Sequence, residues 1–307
     1  MRARPALVLL VALLGISTAG PLVRLSHADP LAIASWRLAF SLLVVGAALA
    51  RSGGWRQWAR LRRGDLAVAV GAGVLLALHF WSWNASIGLT TIAASVVLVN
   101  MQPAFVALAS AAWLHERPER RQAIGIGVAI AGAFVVALPD LLASHPAGGA
   151  ADPILGDLLA LVGAVTAALY YAAGRRLRQT LDLWPYVGLV YGACLVTLLA
   201  ISLSRGVRLV GLPGREYAIF AALAAGPMLL GHTGMNWALK FLPAYVVNLT
   251  VLGEPVGATL LAALIPGIGE RPTIATLVGG ALLLGGVLAT SGRARVRAAA
   301  SAPAGAG

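Results

Sequence analysis

Glu254 lies about ten residues inside the apolar run 244–264 of a 307-residue chain, and Pro255 follows it. A carboxylate at that depth is tolerated only if it is protonated, ion-paired or facing water. Glu254 is therefore the first candidate for chemistry, as a proton-coupling group or as the counter-ion of a cationic ligand. The plainer alternative is a structural carboxyl hydrogen-bonded beside the proline. His79, Trp83 and Ser86 share one stripe of another apolar run at helical spacing, and His232 and Asn236 stand four residues apart on a third. A histidine so placed holds a carboxylate or carries a proton, unless it is only an interhelical hydrogen-bonding residue. Asn100, Asn248 and Tyr170, which shares a stripe with Thr166, complete a polar set suited to lining a substrate pathway. Across helices such amides also serve as packing glue. On a continuous helix Asn100 and Gln102 face opposite ways, so a single cavity takes only one of them well. Pro103 and Pro255 each remove a backbone hydrogen bond, freeing the carbonyls of Val99 and Val251, and are candidate hinges. No cofactor motif is found, no His/Cys/Asp/Glu cluster has metal-ligand spacing, and no nucleophile–base pair is well spaced for catalysis.

The elements that must position these residues follow from composition. Hydrophobic residues make up 59% of the chain and charged ones 11%, with mean hydropathy +0.85. A soluble domain carries roughly 25% charged residues, so too few are present here to cover a water-facing surface. The net charge of +12 does not signal nucleic acid, because the arginines sit in short clusters between apolar runs rather than over one folded face. Cys194 stands alone inside an apolar run and reads as a small buried hydrophobe.

A helix needs roughly 20 apolar residues to cross the hydrocarbon. That ruler predicts ten spans, at 6–24, 30–50, 66–87, 92–113, 122–140, 156–174, 184–204, 217–239, 244–264 and 273–291. The N-terminal run also resembles a signal peptide, with Ser17-Thr18-Ala19-Gly20 as a cleavage-like region; a retained first span is preferred because the repeat below needs it. With the N-terminus cytoplasmic, 17 basic residues fall inside and five outside, the bias expected of cytoplasmic loops. The segment Arg205–Arg215 fits that bias worst. Arg37 is the one basic residue left within a span, about seven residues from its outer end, near enough to snorkel and assigned a structural partner.

The chain repeats itself. Glu116-Arg117-Pro118 recurs as Glu270-Arg271-Pro272, and at the same offset of 154 Gly125 falls on Gly279 and Gly132 on Gly286. At an offset of 152 Asn84 falls on Asn236, Gln102 on Glu254 and Pro103 on Pro255. Five spans per unit is an odd number, so the second copy enters the membrane inverted, the architecture of secondary transporters. The expected divisions are a first five-helix repeat at 1–140, a periplasmic linker at 141–155, a second repeat at 156–291 and a disordered cytoplasmic tail at 292–307.

Gly156-Asp157 opening the sixth span, Gly174-Arg175-Arg176-Leu177-Arg178 closing it, Glu254-Pro255 and the two Glu-Arg-Pro blocks resemble the EamA-type members of the drug/metabolite transporter superfamily. The resemblance implies an all-α integral membrane protein with a central cavity lined by helices 1–4 and 6–9, and peripheral helices 5 and 10, which offer a homodimer face. It also implies export of a metabolite such as an amino acid from a bacterial cell through the inner membrane.

The expectation is thus a secondary transporter, against an intramembrane enzyme or a non-transporting membrane partner. In a Cys194→Ser background, cysteines placed at Ser52 and Ser144 should label from the cytoplasmic and outer sides respectively. Labelling of both from outside overturns the ten-span topology.

Overall fold

In hydrocarbon each backbone N–H and C=O must be satisfied within its own segment, and the apolar runs among the described residues answer with helices. The computed structural model describes residues 3–113, 120–142, 152–242 and 244–291, and no strand occurs among them. The first Glu-Arg-Pro block, most of the predicted linker, Ser144 and the tail from 292 lie outside the described residues. The helices are α1 (Ala3–Ser17), α2 (Ala19–Leu25), α3 (Pro30–Ser52), α4 (Arg63–Leu89), α5 (Ile92–Val99), α6 (Gln102–Trp113) and α7 (Arg120–Leu142). The second half holds α8 (Pro153–Leu177), α9 (Leu183–Ser204), α10 (Gly214–Leu223), α11 (Thr233–Ala238), α12 (Ala244–Val251), α13 (Glu254–Leu264) and α14 (Ile274–Ser291).

Their ends follow ordinary capping chemistry. Asp29 accepts from the Leu31 N–H at 2.8 Å with Pro30 in the first turn of α3, and Asp152 accepts from Leu155 N–H at 3.2 Å ahead of Pro153 in α8. Gly53, at φ +62, ends α3 in the left-handed region that glycine enters without strain. Inside the helices, hydroxyls bond back to their own turn: Ser41 donates to Arg37 C=O at 2.7 Å and Ser202 to Leu198 C=O at 2.7 Å.

Six helical stretches are long and apolar enough to cross a membrane: Pro5–Leu25, Pro30–Ser52, Arg63–Leu89, Pro153–Leu177, Leu183–Ser204 and Gly214–Ala238. The predicted fourth, fifth, ninth and tenth spans coincide with shorter apolar helices. Two of the segments are broken where the sequence predicts kinks. The chain turns at Asn100–Met101 between α5 and α6, and at Leu252–Gly253 between α12 and α13. Pro103 and Pro255 therefore sit in the first turns of new helices, where a missing N–H costs nothing, rather than within bent ones. A third departure is a π-helical stretch at Ala224–His232 joining α10 to α11 around Pro227; both the N–H and the hydroxyl of Thr233 reach back to Met228 C=O.

Packing pairs the halves. α4 runs antiparallel to α8: Asp65 meets Arg176, His79 meets Gly163, and Thr90 abuts Gly156. α8 runs alongside the α10–α11 segment in the same direction, with Tyr171 at His232 and Arg175 at Leu239. α3 is antiparallel to α9, Leu49 lying on Gly188 while Trp36 donates to Leu209 C=O. α7 and α14 are antiparallel too, Gly132 facing Leu283 and Val136 facing Gly279. Neighbour pairs recur under exchange of the halves: α4 on α8 matches α1 on the α10–α11 segment, and α5–α6 on α8 matches α12–α13 on α1. The outer surface is rimmed with exposed Leu7, Leu14, Leu43, Ile124, Leu203, Leu264 and Ile274, a lipid-facing composition.

Close backbone approach sets the α7–α14 contact. A Cβ on Gly279 would stand 2.6 Å from the Gly132 carbonyl oxygen and 2.9 Å from Val136 N. Gly279→Ala should therefore cost ~1–3 kcal/mol by overpacking and lower the melting temperature in detergent. Gly285→Ala, with nothing within 4 Å, should melt like the wild type. Equal melting of all three proteins removes this contact from the fold's determinants.

Candidate functional site

The two breaks meet. Asn100, the C-cap of α5, donates through Nδ2 to Val96 C=O at 2.8 Å and to Glu254 Oε2 at 3.3 Å. Glu254 is the first residue of α13 and Gln102 the first of α6. Each therefore stands at the start of a helix that begins inside an apolar run. Glu254 is 6% exposed and looks into a cavity of about 30 Å³. The polar wall of that cavity is Arg37, His79, Trp83, Gln102, Tyr171, His232 and Glu254; Ile16, Ala19, Val99, Pro227, Met235 and Val251 supply the apolar remainder. Such a volume holds about one or two waters, so a metabolite enters only if the walls part.

The two histidines share this cavity. His79 Nδ1 lies 2.9 Å from Gly163 C=O, and its ring stacks on Trp83 with centroids 6.3 Å apart. His232, delivered by the π-helical stretch, stands edge-on to Phe80 at 5.2 Å and to His79 at 6.0 Å, with Nδ1 at 3.3 Å from the Tyr171 hydroxyl. The stripes carrying these histidines, from the third and eighth predicted spans, thus face one another.

Other candidates go elsewhere. Ser86 donates to Trp83 C=O at 2.8 Å and shares a hydrogen bond of 2.5 Å with Ser95, tying α4 to α5 outside the cavity. Tyr170 does not form the aromatic wall; Tyr171 does. Tyr170 instead accepts from Asn236 Nδ2 at 2.5 Å, and Asn236 also reaches Tyr191 at 3.3 Å, so Asn236 builds a buried tyrosine network rather than a cavity face. Asn248 donates to Ala244 C=O of its own helix at 2.8 Å. The helical-face objection to using both Asn100 and Gln102 fails because no continuous helix joins them: Gln102 lines the cavity and Asn100 holds the carboxylate beside it.

The largest correction concerns Arg37. It does not snorkel; it is 0% exposed, its guanidinium 4.1 Å over the Phe80 ring, on the cavity wall. Its place was legible in α3, because Ala34, Leu38, Ser41, Val45 and Leu49 make a continuous buried stripe through it. Distance along the run from the outer end obscured that face.

Polar ties join the helix ends on both sides of the bundle. At one, Arg24 donates to Thr90 C=O at 2.6 Å and pairs with Glu270 at 3.6 Å, while Glu216 accepts from the Ser26 hydroxyl and from His27 N–H. At the other, Asp65 pairs with Arg176 at 3.1 Å, and Asp182 accepts from Lys240 at 2.9 Å and Gln57 at 2.8 Å. Those bonds hold the Asp182 carboxyl below the usual carboxylate range. Removing the shared donor of the tyrosine network should show in stability: Asn236→Leu should cost ~1–3 kcal/mol and lower the melting temperature, and an unchanged melt would mean the tyrosines find other donors.

Comparison with known proteins places this architecture. The model of the EamA-like transporter family matches twice, at residues 4–138 and 154–292. No curated relative matches the chain. A crystal structure of another protein superposes with a TM-score of 0.67 at 21% identity, over 97% of this chain and 99% of its own; at that identity the likeness speaks for the fold alone.

Proposed function

The chain belongs to the EamA-like transporter family, and from that premise we propose that it moves a small metabolite, such as an amino acid, outward across a bacterial inner membrane by alternating access. The observation that carries this reading is the meeting of the two helix breaks at Asn100 and Glu254, on the wall of a polar cavity held between the halves. Discontinuous helices in matched positions of two repeats are where transporters build their sites.

In this reading ten segments cross the bilayer as two inverted five-helix repeats, at 1–140 and 156–291, with both termini cytoplasmic. The antiparallel pairing of α7 with α14, and of α4 with the α10–α11 segment, supports inversion, as does the recurrence of neighbour pairs under exchange of the halves. The basic clusters support the orientation. α7 and α14, packed on each other at the periphery, remain the face proposed for a homodimer.

Glu254 carries the coupling proton. It is buried, takes a single long hydrogen bond from Asn100, and shares its cavity with Arg37, His79, His232 and Tyr171. Its repeat mate Gln102 is an amide in the equivalent first turn of α6, so the fold tolerates an amide in such a place. Purified protein in liposomes, assayed against an amino-acid and drug panel with and without a pH gradient, should show gradient-driven flux. Glu254→Gln should keep cargo exchange and lose the response to the gradient. Full gradient-driven flux in Glu254→Gln ends the coupling assignment, and no flux of any compound by the wild type ends the transporter reading.

A further inference from the structure

We propose that Arg37 is the recognition residue for a carboxylate on the cargo, an assignment that rests on the transporter reading of the same cavity. Arg37 is 0% exposed, and none of its Nε, Nη1 and Nη2 atoms has a hydrogen-bond partner among the described residues. A guanidinium carries five N–H donors in a rigid plane. The central carbon of the Arg37 guanidinium lies 4.1 Å over the Phe80 ring, a contact that gives its N–H donors no hydrogen-bond acceptor. The same side chain lines the cavity.

A buried, unpaired cation is among the least tolerable groups in a membrane protein. Among the described residues Glu254 is the carboxylate that shares the cavity with Arg37, and the two make no ion pair within 4.0 Å; Glu254 is held by Asn100 instead. The other polar groups of the wall, His79, His232, Trp83, Gln102 and Tyr171, do not supply a fixed negative charge. Ser41, one turn along α3, turns its hydroxyl back to the Arg37 carbonyl and leaves the guanidinium alone. A planar fork of donors on the wall of a cavity between the two halves matches the two oxygens of a carboxylate, which accept it in bidentate fashion. One guanidinium balances one negative charge, so a monocarboxylate suits the site better than a phosphate dianion. Glu254, across the cavity, remains available for a proton or for a cationic group on the same cargo.

The test is thermal stabilisation of the full-length protein in detergent. The probes are the common L-amino acids and short aliphatic and aromatic monocarboxylates, each beside its primary amide, with benzylamine and phenyl phosphate as amine and phosphate controls. Acids should stabilise the wild type and their amides should not. Arg37→Lys, which keeps charge without the fork, should weaken the response ~10-fold or more, and Arg37→Gln should abolish it. Without ligand, Arg37→Gln should melt no lower than the wild type, because it removes an uncompensated charge rather than a bond.

Equal stabilisation by acid and amide, no stabilisation by any acid, or an undiminished acid response in Arg37→Gln overturns the proposal. Should Arg37→Gln fail to fold, the acid–amide contrast in the wild type and the Arg37→Lys response decide alone. Flux separates this inference from its premise. Carboxylate flux unaffected by Arg37→Gln removes the anion site and leaves a transporter. Carboxylates that stabilise through Arg37 but never cross liposomes leave the site and remove the transporter reading.

Discussion

The rest of the molecule depends on one constraint: backbone hydrogen bonds have no substitute in hydrocarbon. A helix can be interrupted at depth only where something else takes up the freed groups. Here the two interruptions in α5–α6 and α12–α13 are placed against each other, so each supplies the polar surroundings the other needs. Asn100 closes α5 with its own side chain on Val96 C=O and spends its second N–H on Glu254. The carboxyl group in turn sits at the start of α13, beside the residue that closes α5. The breaks and the polar cavity are therefore one feature: without the cavity the breaks would be unaffordable, and without the breaks no helix start would point into it.

The same economy appears in how the helices approach. Lipid provides no hydrophobic drive between helices, so contact depends on close fit. Gly15 lies against the Gly226 carbonyl, where a Cβ would come within 2.8 Å, and Gly279 lies against Gly132 as described. The first contact draws α1 onto the π-helical stretch that presents His232; the second joins the two peripheral helices. Glycine here acts through its lack of a side chain rather than through unusual backbone angles.

Much of this was legible in the sequence, for physical reasons. Apolar run length reports helix location directly, because the bilayer sets the length, and each predicted span falls on helix. Proline and charge at matched offsets reported the repeat, and helical spacing brought His79, Trp83 and His232 to one cavity. What was not legible depends on breaks in helical phase. A face argument carries across a segment only while the helix is continuous, so it failed at Asn100 and Gln102, and it chose Tyr170 over Tyr171 without the register set by α8's neighbours. The π-helical stretch shifts phase by an extra residue per turn; Pro227 was its only sequence sign. Arg37 was misplaced because depth along a run was weighed above the buried stripe to which it belongs.

A transporter must also leave its two end states close in energy, since a ligand shifts a population only by its differential affinity. The polar ties between helix ends fit that requirement. Arg176 is 67% exposed in its pair with Asp65, and Lys240 and Asp182 are 43% and 61% exposed; surface pairs of this kind contribute about 0–1 kcal/mol each. The end tied by Arg24 and Glu270 is more enclosed, with side chains 32% and 16% exposed, and adds a backbone bond to Thr90. It is therefore the firmer closure, yet a 3.6 Å ion pair and a few hydrogen bonds remain small beside the packing of α4 on α8 or α7 on α14. The two halves are thus joined to each other by extensive apolar contact, whereas the ties at the two ends are few and polar. Parting either end therefore breaks only weak polar contacts and leaves the apolar seams between the halves intact.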